Sequence, residues 1–304
     1  MTKYAFFNDQ IVPIEEAKIS IMNHTFNYGT GCFEGIRAYW NEASEQLYIF
    51  RLAEHYERLI NSSKYLHITL PYDVQKLCDV TVELLKKEGF RTDTYVRPIT
   101  YKSDSGIGCR LHNLQPGFAM FSVPFGSYVE NEEGVKAGVS SWRRNPDASI
   151  PARGKINGAY VNSALSKTWA YQHGYDEAIV LNEAGHVAEG SAENIFMLRR
   201  GQLITPPITE DILEGITRET LIQLAREEMG VQVIERPIDR SELIIADEIF
   251  FCGTGVQIAS VVSVDQTPIG NGKMGPLVAE LRQKYFDVVR GKNPKYLAWC
   301  TPVF

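Results

Sequence analysis

Lys155 lies in Ala152-Arg153-Gly154-Lys155-Ile156-Asn157-Gly158, with a glycine before it and another three residues on, just ahead of a helical stretch. An amine that forms a Schiff base with an aldehyde needs tight surroundings and a lowered pKa, and flanking glycines let backbone and bound group approach closely. The same segment also reads as a solvated loop lysine. Glu189, in Val187-Ala188-Glu189-Gly190-Ser191-Ala192-Glu193-Asn194, follows an apolar strand. A carboxylate there could pair with a protonated pyridine nitrogen and keep that ring an electron sink, or be an edge carboxylate in a polar turn.

Two segments offer seats for an anion. Leu213-Glu214-Gly215-Ile216-Thr217-Arg218 opens an amphipathic helix, whose unpaired first-turn N–H groups and dipole suit a phosphate; the plain alternative is that Thr217 is an N-cap. The strand from Glu248 to Cys252 runs into Gly253-Thr254-Gly255, a turn whose amides could hold a second anion or simply turn the chain. Tyr95 and Arg97 stand two apart in a strand over 94–100, so they share a face. An arginine in an apolar strand must be paired or bind an anionic ligand.

Other chemistries lack their residues. The histidines, His24, His55, His67, His112, His173 and His186, have no metal spacing, so no metal is expected, and neither G-x-x-x-x-G-K-[ST] nor a strand-borne G-x-G-x-x-G is present. The five cysteines are an odd number and scattered, which reads as reduced thiols in a cytoplasmic protein. The N-terminus meets charged and turn residues before a signal-length apolar stretch develops, and no segment approaches the ~20 apolar residues of a membrane span. A net charge of -6, spread along the chain, argues against a nucleic-acid or anionic-membrane partner. With 304 residues, 44% of them hydrophobic, the chain can bury a large core without disulfides.

The elements that must carry these residues alternate strand and helix. Strand-like runs over 4–7 and 10–12 flank Asn8-Asp9 as a hairpin, and 47–50 reads as a strand. Leu52, Tyr56, Leu59 and Ile60 recur at helical spacing, as do Val74, Leu77, Val80, Thr81 and Leu84 before Gly89. Strands follow over 94–100, 117–124 and 135–142, a helix over 160–173, a hairpin across residues 182–185, and helices over 217–229 and 276–290. The polar, turn-prone stretch 125–134 is placed as an interdomain loop, dividing a small domain, 1–124, from a large cofactor-binding domain, 135–304.

Taken in order, Phe26-Asn27-Tyr28-Gly29-Thr30-Gly31-Cys32-Phe33-Glu34-Gly35-Ile36-Arg37, Tyr95-Val96-Arg97-Pro98, Lys155, the run Glu189 to Asn194, Gly215-Ile216-Thr217-Arg218 and Gly253-Thr254-Gly255 resemble the bacterial branched-chain amino acid aminotransferases, fold-type IV pyridoxal-phosphate enzymes. The resemblance covers nearly the whole chain. It implies an α/β fold of two domains, α+β in the smaller, and pyridoxal 5′-phosphate as cofactor. It also implies transfer of amino groups from leucine, isoleucine or valine to 2-oxoglutarate by a ping-pong mechanism, in a cytoplasmic homodimer or an oligomer built from dimers.

Position by position, the resemblance makes Lys155 the Schiff-base lysine and proton shuttle. Arg58 and the amides of Ile216, Thr217 and Thr254 are implied at the cofactor phosphate, Gly253 beside them, Tyr160 at the ring hydroxyl, Glu189 at the ring nitrogen and Leu213 on a ring face. For substrate it implies Tyr95 with the Thr254 and Gly255 amides at the α-carboxylate, and Phe33, Gly35, Phe125 and Tyr128 around the side chain. Arg97, Tyr28 and Tyr128 take the distal carboxylate of glutamate, and Ile107 and Cys109 lie in a loop that closes over the neighbouring subunit's pocket. The family often has G-T-A-A where Gly253-Thr254-Gly255-Val256 stands, and tryptophan at Phe125. Rivals are a D-amino acid aminotransferase or aminodeoxychorismate lyase of the same fold, and a non-catalytic ligand-binding protein that keeps it.

Overall fold

Asn8 and Asp9 both adopt positive φ, 48° and 65°, and the strands they join, Tyr4–Phe7 and Gln10–Pro13, pair antiparallel. Asn and Asp tolerate the left-handed region, and two such residues give the turn whose twist matches a hairpin. The computed structural model of the protein describes residues 1–126 and 131–304.

Eight described strands form an antiparallel sheet in the order Cys300–Pro302, Gln46–Phe50, Ile36–Asn41, Thr94–Lys102, Pro116–Pro124, Tyr4–Phe7 and Gln10–Pro13, with Gly31–Phe33 also paired to Thr94–Lys102. The helices Leu52–Tyr65 and Val74–Glu88 pack on each other beside this sheet. Each buries one stripe, Leu52, His55, Tyr56 and Leu59 in the first and Leu77, Val80, Thr81 and Leu84 in the second. A fully buried leucine of this kind contributes roughly 1.5–3 kcal/mol. Gly89 ends the second helix at φ 67°, a conformation that costs glycine nothing.

Nine described strands form a mixed sheet in the order Val187–Gly190, Glu177–Leu181, Val135–Arg143, Gln257–Val264, Glu248–Gly253, Asn194–Arg199, Gln202–Thr205 and Val233–Glu235, with Thr267–Pro268 paired to Gln257–Val264. The strand Val135–Arg143 runs parallel to both its neighbours. The helix Ile216–Met229 buries Thr217, Thr220, Leu221, Leu224 and Ala225, and Gly230 caps its end. Its N-cap is Gly215, so Thr217 stands inside the first turn and not at the cap position the sequence suggests.

The chain divides into two compact units, and the division is not linear along the sequence. Met1–Gly126, Gly154–Ala159 and Asp287–Phe304 make the first; residues 131–153 and Tyr160–Phe286 belong to the second. The lysine segment and the C-terminus, expected with residues 135–304, therefore lie with the small antiparallel sheet. Backbone pairing places them there: Cys32 bridges to Ile156, Gly158 N–H donates to the Gly29 carbonyl at 3.1 Å, and Cys300–Pro302 pairs with Gln46–Phe50.

Candidate active site

Within the first unit, Lys155 is pinned through its backbone. Its N–H donates to Ser62 Oγ at 3.0 Å and its carbonyl accepts from Phe33 N–H at 3.1 Å, which brings its Nζ to 5.1 Å from the Phe33 ring centroid. The Arg97 guanidinium lies 4.3 Å from the same ring. Along Thr94–Lys102 burial alternates strictly over the first six residues, Tyr95 and Arg97 on the less buried face, and Arg97 donates to Tyr95 Oη at 2.8 Å. Arg97 Nε is buried with no hydrogen-bond partner among the described residues, a donor left without an acceptor. Gly35 makes room for Tyr95, because a Cβ there would collide with the tyrosine hydroxyl. The Phe125 ring sits 5.2 Å from Tyr95, and the Phe125 carbonyl accepts from Arg37 at 3.0 Å.

Arg58 meets a partner that the sequence does not announce. Glu34, completely buried, accepts from Arg58 Nε at 2.7 Å and from a terminal guanidinium nitrogen at 2.8 Å, and also from His55 Nδ1 at 2.8 Å. Burial alone would raise the Glu34 pKa, but the Arg58 charge and the hydrogen bonds from His55 and Arg58 overcome it and hold the carboxyl well below the usual range. The only hint in the sequence is a carboxylate inside the apolar run Cys32-Phe33-Glu34-Gly35-Ile36, which requires a cationic partner without naming it.

Tyr28 ends the short helix His24–Tyr28, and its hydroxyl accepts from Gly108 N–H at 3.0 Å, while His24 Nε2 meets the Gly108 carbonyl at 3.0 Å. These contacts tether the loop carrying Ile107, which is 90% exposed, and Cys109, also exposed. All five cysteines are free thiols. Burial pushes Cys32, next to Phe33, up to about 12, so it stays a thiol at neutral pH. Tyr128 lies outside the described residues.

In the second unit, Glu189 is buried on the strand Val187–Gly190 and is held from three directions. Arg144 pairs with Oε1 at 3.0 Å, and Oε2 accepts from Leu213 N–H at 3.1 Å and Asn194 Nδ2 at 3.3 Å. Nothing in Arg143-Arg144-Asn145 advertises this role; 45 residues separate the partners. Leu213, half-buried, thus supports Glu189 through its backbone, and its carbonyl accepts from Asn194. Glycine is required at 215, where a Cβ would strike the Asn194 amide, and Gly215 brings no side chain to the first-turn amides of Ile216 and Thr217. Gly253 ends the strand Glu248–Gly253, and Thr254 and Gly255 form the turn into Gln257–Val264. Tyr160 opens the helix Tyr160–Gln172. Arg218, by contrast, is a structural ion: it donates to the Pro206 carbonyl and to Glu235, both at 2.8 Å.

Glu193, in the bend between the strands Val187–Gly190 and Asn194–Arg199, is buried with Glu177 as a like-charged neighbour, and these together push it up to about 8. The folded chain then holds a proton that the unfolded chain releases near the ordinary value of 4.5. Its contribution is complete below that value and is lost as pH rises through about 8. Thermal unfolding measured from acid to mildly alkaline pH should show a decline that Glu193→Gln flattens. Parallel profiles for the two proteins would refute the assignment.

Pyridoxal phosphate asks for a primary amine, cationic or amide donors for its phosphate, and a carboxylate for its ring nitrogen. The donor set fits. Lys155 and Arg58 are present in the first unit; the second holds a buried carboxylate paired with Arg144 and a helix start whose glycine cap leaves the amides uncovered by any side chain of its own. Among the described residues no group of His, Cys, Asp and Glu could hold a metal, and no helix is long and apolar enough to cross a membrane.

Residues 31–264 match the family profile of the class IV amino-transferases. The chain is 52% identical over 301 residues to a protein of Aquifex aeolicus named probable branched-chain-amino-acid aminotransferase, covering 99% of this chain and 97% of that one. It superposes with a TM-score of 0.95, at 43% identity and full coverage of both chains, on the branched-chain aminotransferase of the archaeon Thermoproteus uzoniensis with norvaline. A third relative is the branched-chain amino acid aminotransferase of Thermobaculum terrenum in its PLP-form, the holo-form. It has a TM-score of 0.95 at 38% identity, covering 100% of this chain and 99% of that one.

Proposed function

The chain belongs to the class IV aminotransferases, and within them to the branched-chain amino acid aminotransferases, and from that premise we propose that it moves the amino group of L-leucine, L-isoleucine or L-valine to 2-oxoglutarate in two ping-pong half-reactions. Its cofactor is pyridoxal 5′-phosphate. When bound, that group supplies an aldehyde for the amine nitrogen and a ring that takes up the electrons released at Cα.

The observation that carries the reading is the Phe33 ring, with Lys155 Nζ 5.1 Å and the Arg97 guanidinium 4.3 Å from it. A proton-transferring amine, an apolar surface for an aliphatic side chain and a receptor for a second carboxylate are thereby collected on one side chain. Lys155 Nζ removes the Cα proton and delivers it again, a general base and then a general acid. Glu189, paired with Arg144 at 3.0 Å, is read as the carboxylate that would hold the ring nitrogen in its protonated form. Arg58 is read as a phosphate ligand, as are the amides of Ile216, Thr217 and Thr254, with Gly253 beside them. Tyr160 is read at the ring hydroxyl and Leu213 on a ring face. Tyr95 and the Thr254 and Gly255 amides receive the α-carboxylate, and Gly35, Phe125 and Tyr128 shape the side-chain pocket. The reading includes a cytoplasmic homodimer in which the exposed loop of Ile107 and Cys109 reaches the neighbouring copy. A coupled assay with L-leucine against D-alanine, 2-oxoglutarate as acceptor, tests the function: preference for D-alanine would overturn it.

Arg97 should separate the two substrate kinds. Its guanidinium, held by one bond to Tyr95 Oη and lying 4.3 Å from the Phe33 ring, is read as the partner of the distal carboxylate of glutamate, with Tyr28 and Tyr128 as hydroxyl donors. Leucine offers it no charge. Arg97→Leu should weaken glutamate and 2-oxoglutarate by ~2–4 kcal/mol, the usual cost of breaking a buried charge pair, and the leucine half-reaction much less. Single-turnover half-reactions read each substrate separately. Equal losses would move Arg97 to the α-carboxylate or to a structural role.

A further inference from the structure

Glu34 is completely buried and directly follows Phe33, whose N–H holds the Lys155 carbonyl. His55 and Arg58 stand three residues apart on the helix Leu52–Tyr65, so both side chains leave the same face. Both end on Glu34: Arg58 by a two-point fork at 2.7 and 2.8 Å, His55 through Nδ1 at 2.8 Å. An ionised carboxylate only accepts, so the His55 proton toward Glu34 sits on Nδ1. Burial lowers the His55 pKa, the Glu34 hydrogen bond and charge oppose this, and the Arg58 and Lys155 charges add to it, while the two-point fork makes the Glu34 carboxylate the counter-ion of Arg58.

The arrangement is one-sided. The Glu34 side chain is wholly inaccessible while that of Arg58 keeps 14% of its surface exposed, so the carboxylate grips the guanidinium from the interior. A two-point fork fixes the plane of the guanidinium, which one contact or a lysine could not do. A guanidinium with a fixed plane presents its other N–H groups in one direction.

We propose that Glu34, oriented by His55, is a positioning residue that aims Arg58 at the phosphate of the cofactor. The proposal rests on the reading of Arg58 as a phosphate ligand. Its consequence is specific to the phosphate: loosening Glu34 should matter for pyridoxal phosphate and not for pyridoxal, which has the same ring and aldehyde.

The test titrates the full-length protein with pyridoxal phosphate and with pyridoxal, following cofactor absorbance, in wild type, Glu34→Gln, Arg58→Ala and the double variant. Glu34→Gln should weaken pyridoxal phosphate by about tenfold or more, the scale of hydrogen bonds to charged groups, and pyridoxal by less than about twofold. In the Arg58→Ala background it should add nothing. If Glu34→Gln fails to fold, the pair His55→Ala and His55→Asn carries the test: alanine should weaken pyridoxal phosphate alone, and asparagine, which keeps an N–H near Nδ1, should restore it. Equal loss of both ligands, unchanged binding of pyridoxal phosphate, or an additive loss in the double variant each overturn the proposal. Wild-type affinity in Arg58→Ala would instead remove the reading of Arg58 on which it stands.

Discussion

Lys155→Ala should fold, take up pyridoxal phosphate and lose transamination by a factor on the order of a thousand or more, the span of a positioned acid–base group. The fold should survive because what holds this segment is backbone. Phe33 N–H donates to the residue 155 carbonyl and the residue 155 N–H donates to Ser62 Oγ, and an alanine makes both bonds. The amine lies against the Phe33 ring, and its loss there removes a cation–π contact of about 0.5–1 kcal/mol or somewhat more. Borohydride treatment separates this outcome from mere loss of cofactor: it should fix label to the wild-type chain through Lys155 Nζ and none to the variant. A variant that transaminates at near wild-type rate would sink the assignment of the proton to Lys155.

Glu189→Gln should be slower than wild type by on the order of a hundredfold or more, since removing one preorganised electrostatic partner costs ~3 kcal/mol in the transition state. Glutamine has the same shape and can still accept from Leu213 N–H, so binding of cofactor and substrate should change less than turnover. What is lost is the charge. Arg144, paired with Glu189 at 3.0 Å and only 13% exposed, then faces a neutral amide, and the variant should also lose some thermal stability. The two effects are separable by measuring kcat, KM and Tm together. A lowered Tm with unchanged kcat would make Glu189 and Arg144 a structural ion pair and nothing more.

Much of this was legible in short stretches of residues. The Asn8-Asp9 hairpin, the helix ends at Gly89 and Gly230 and the shared face of Tyr95 and Arg97 follow from backbone preferences and periodicities that act within a few residues. The order of the motifs from Phe26 to Gly255 was enough to indicate family and cofactor chemistry. Other features depend on where distant segments meet. Residues 154–159 and 287–304 join the first unit through strand pairing across the chain, which no composition shift marks. Helix Ile216–Met229 begins one residue before Thr217, with Gly215 at its N-cap, where a Cβ would strike Asn194, 21 positions earlier. The counter-ions of Arg58 and Glu189 lie 24 and 45 residues away. Residue type declares that a buried charge needs a partner, because desolvating it alone is prohibitive; which partner satisfies it depends on packing, since only folding brings the two side chains within 3 Å and excludes the water that would otherwise serve.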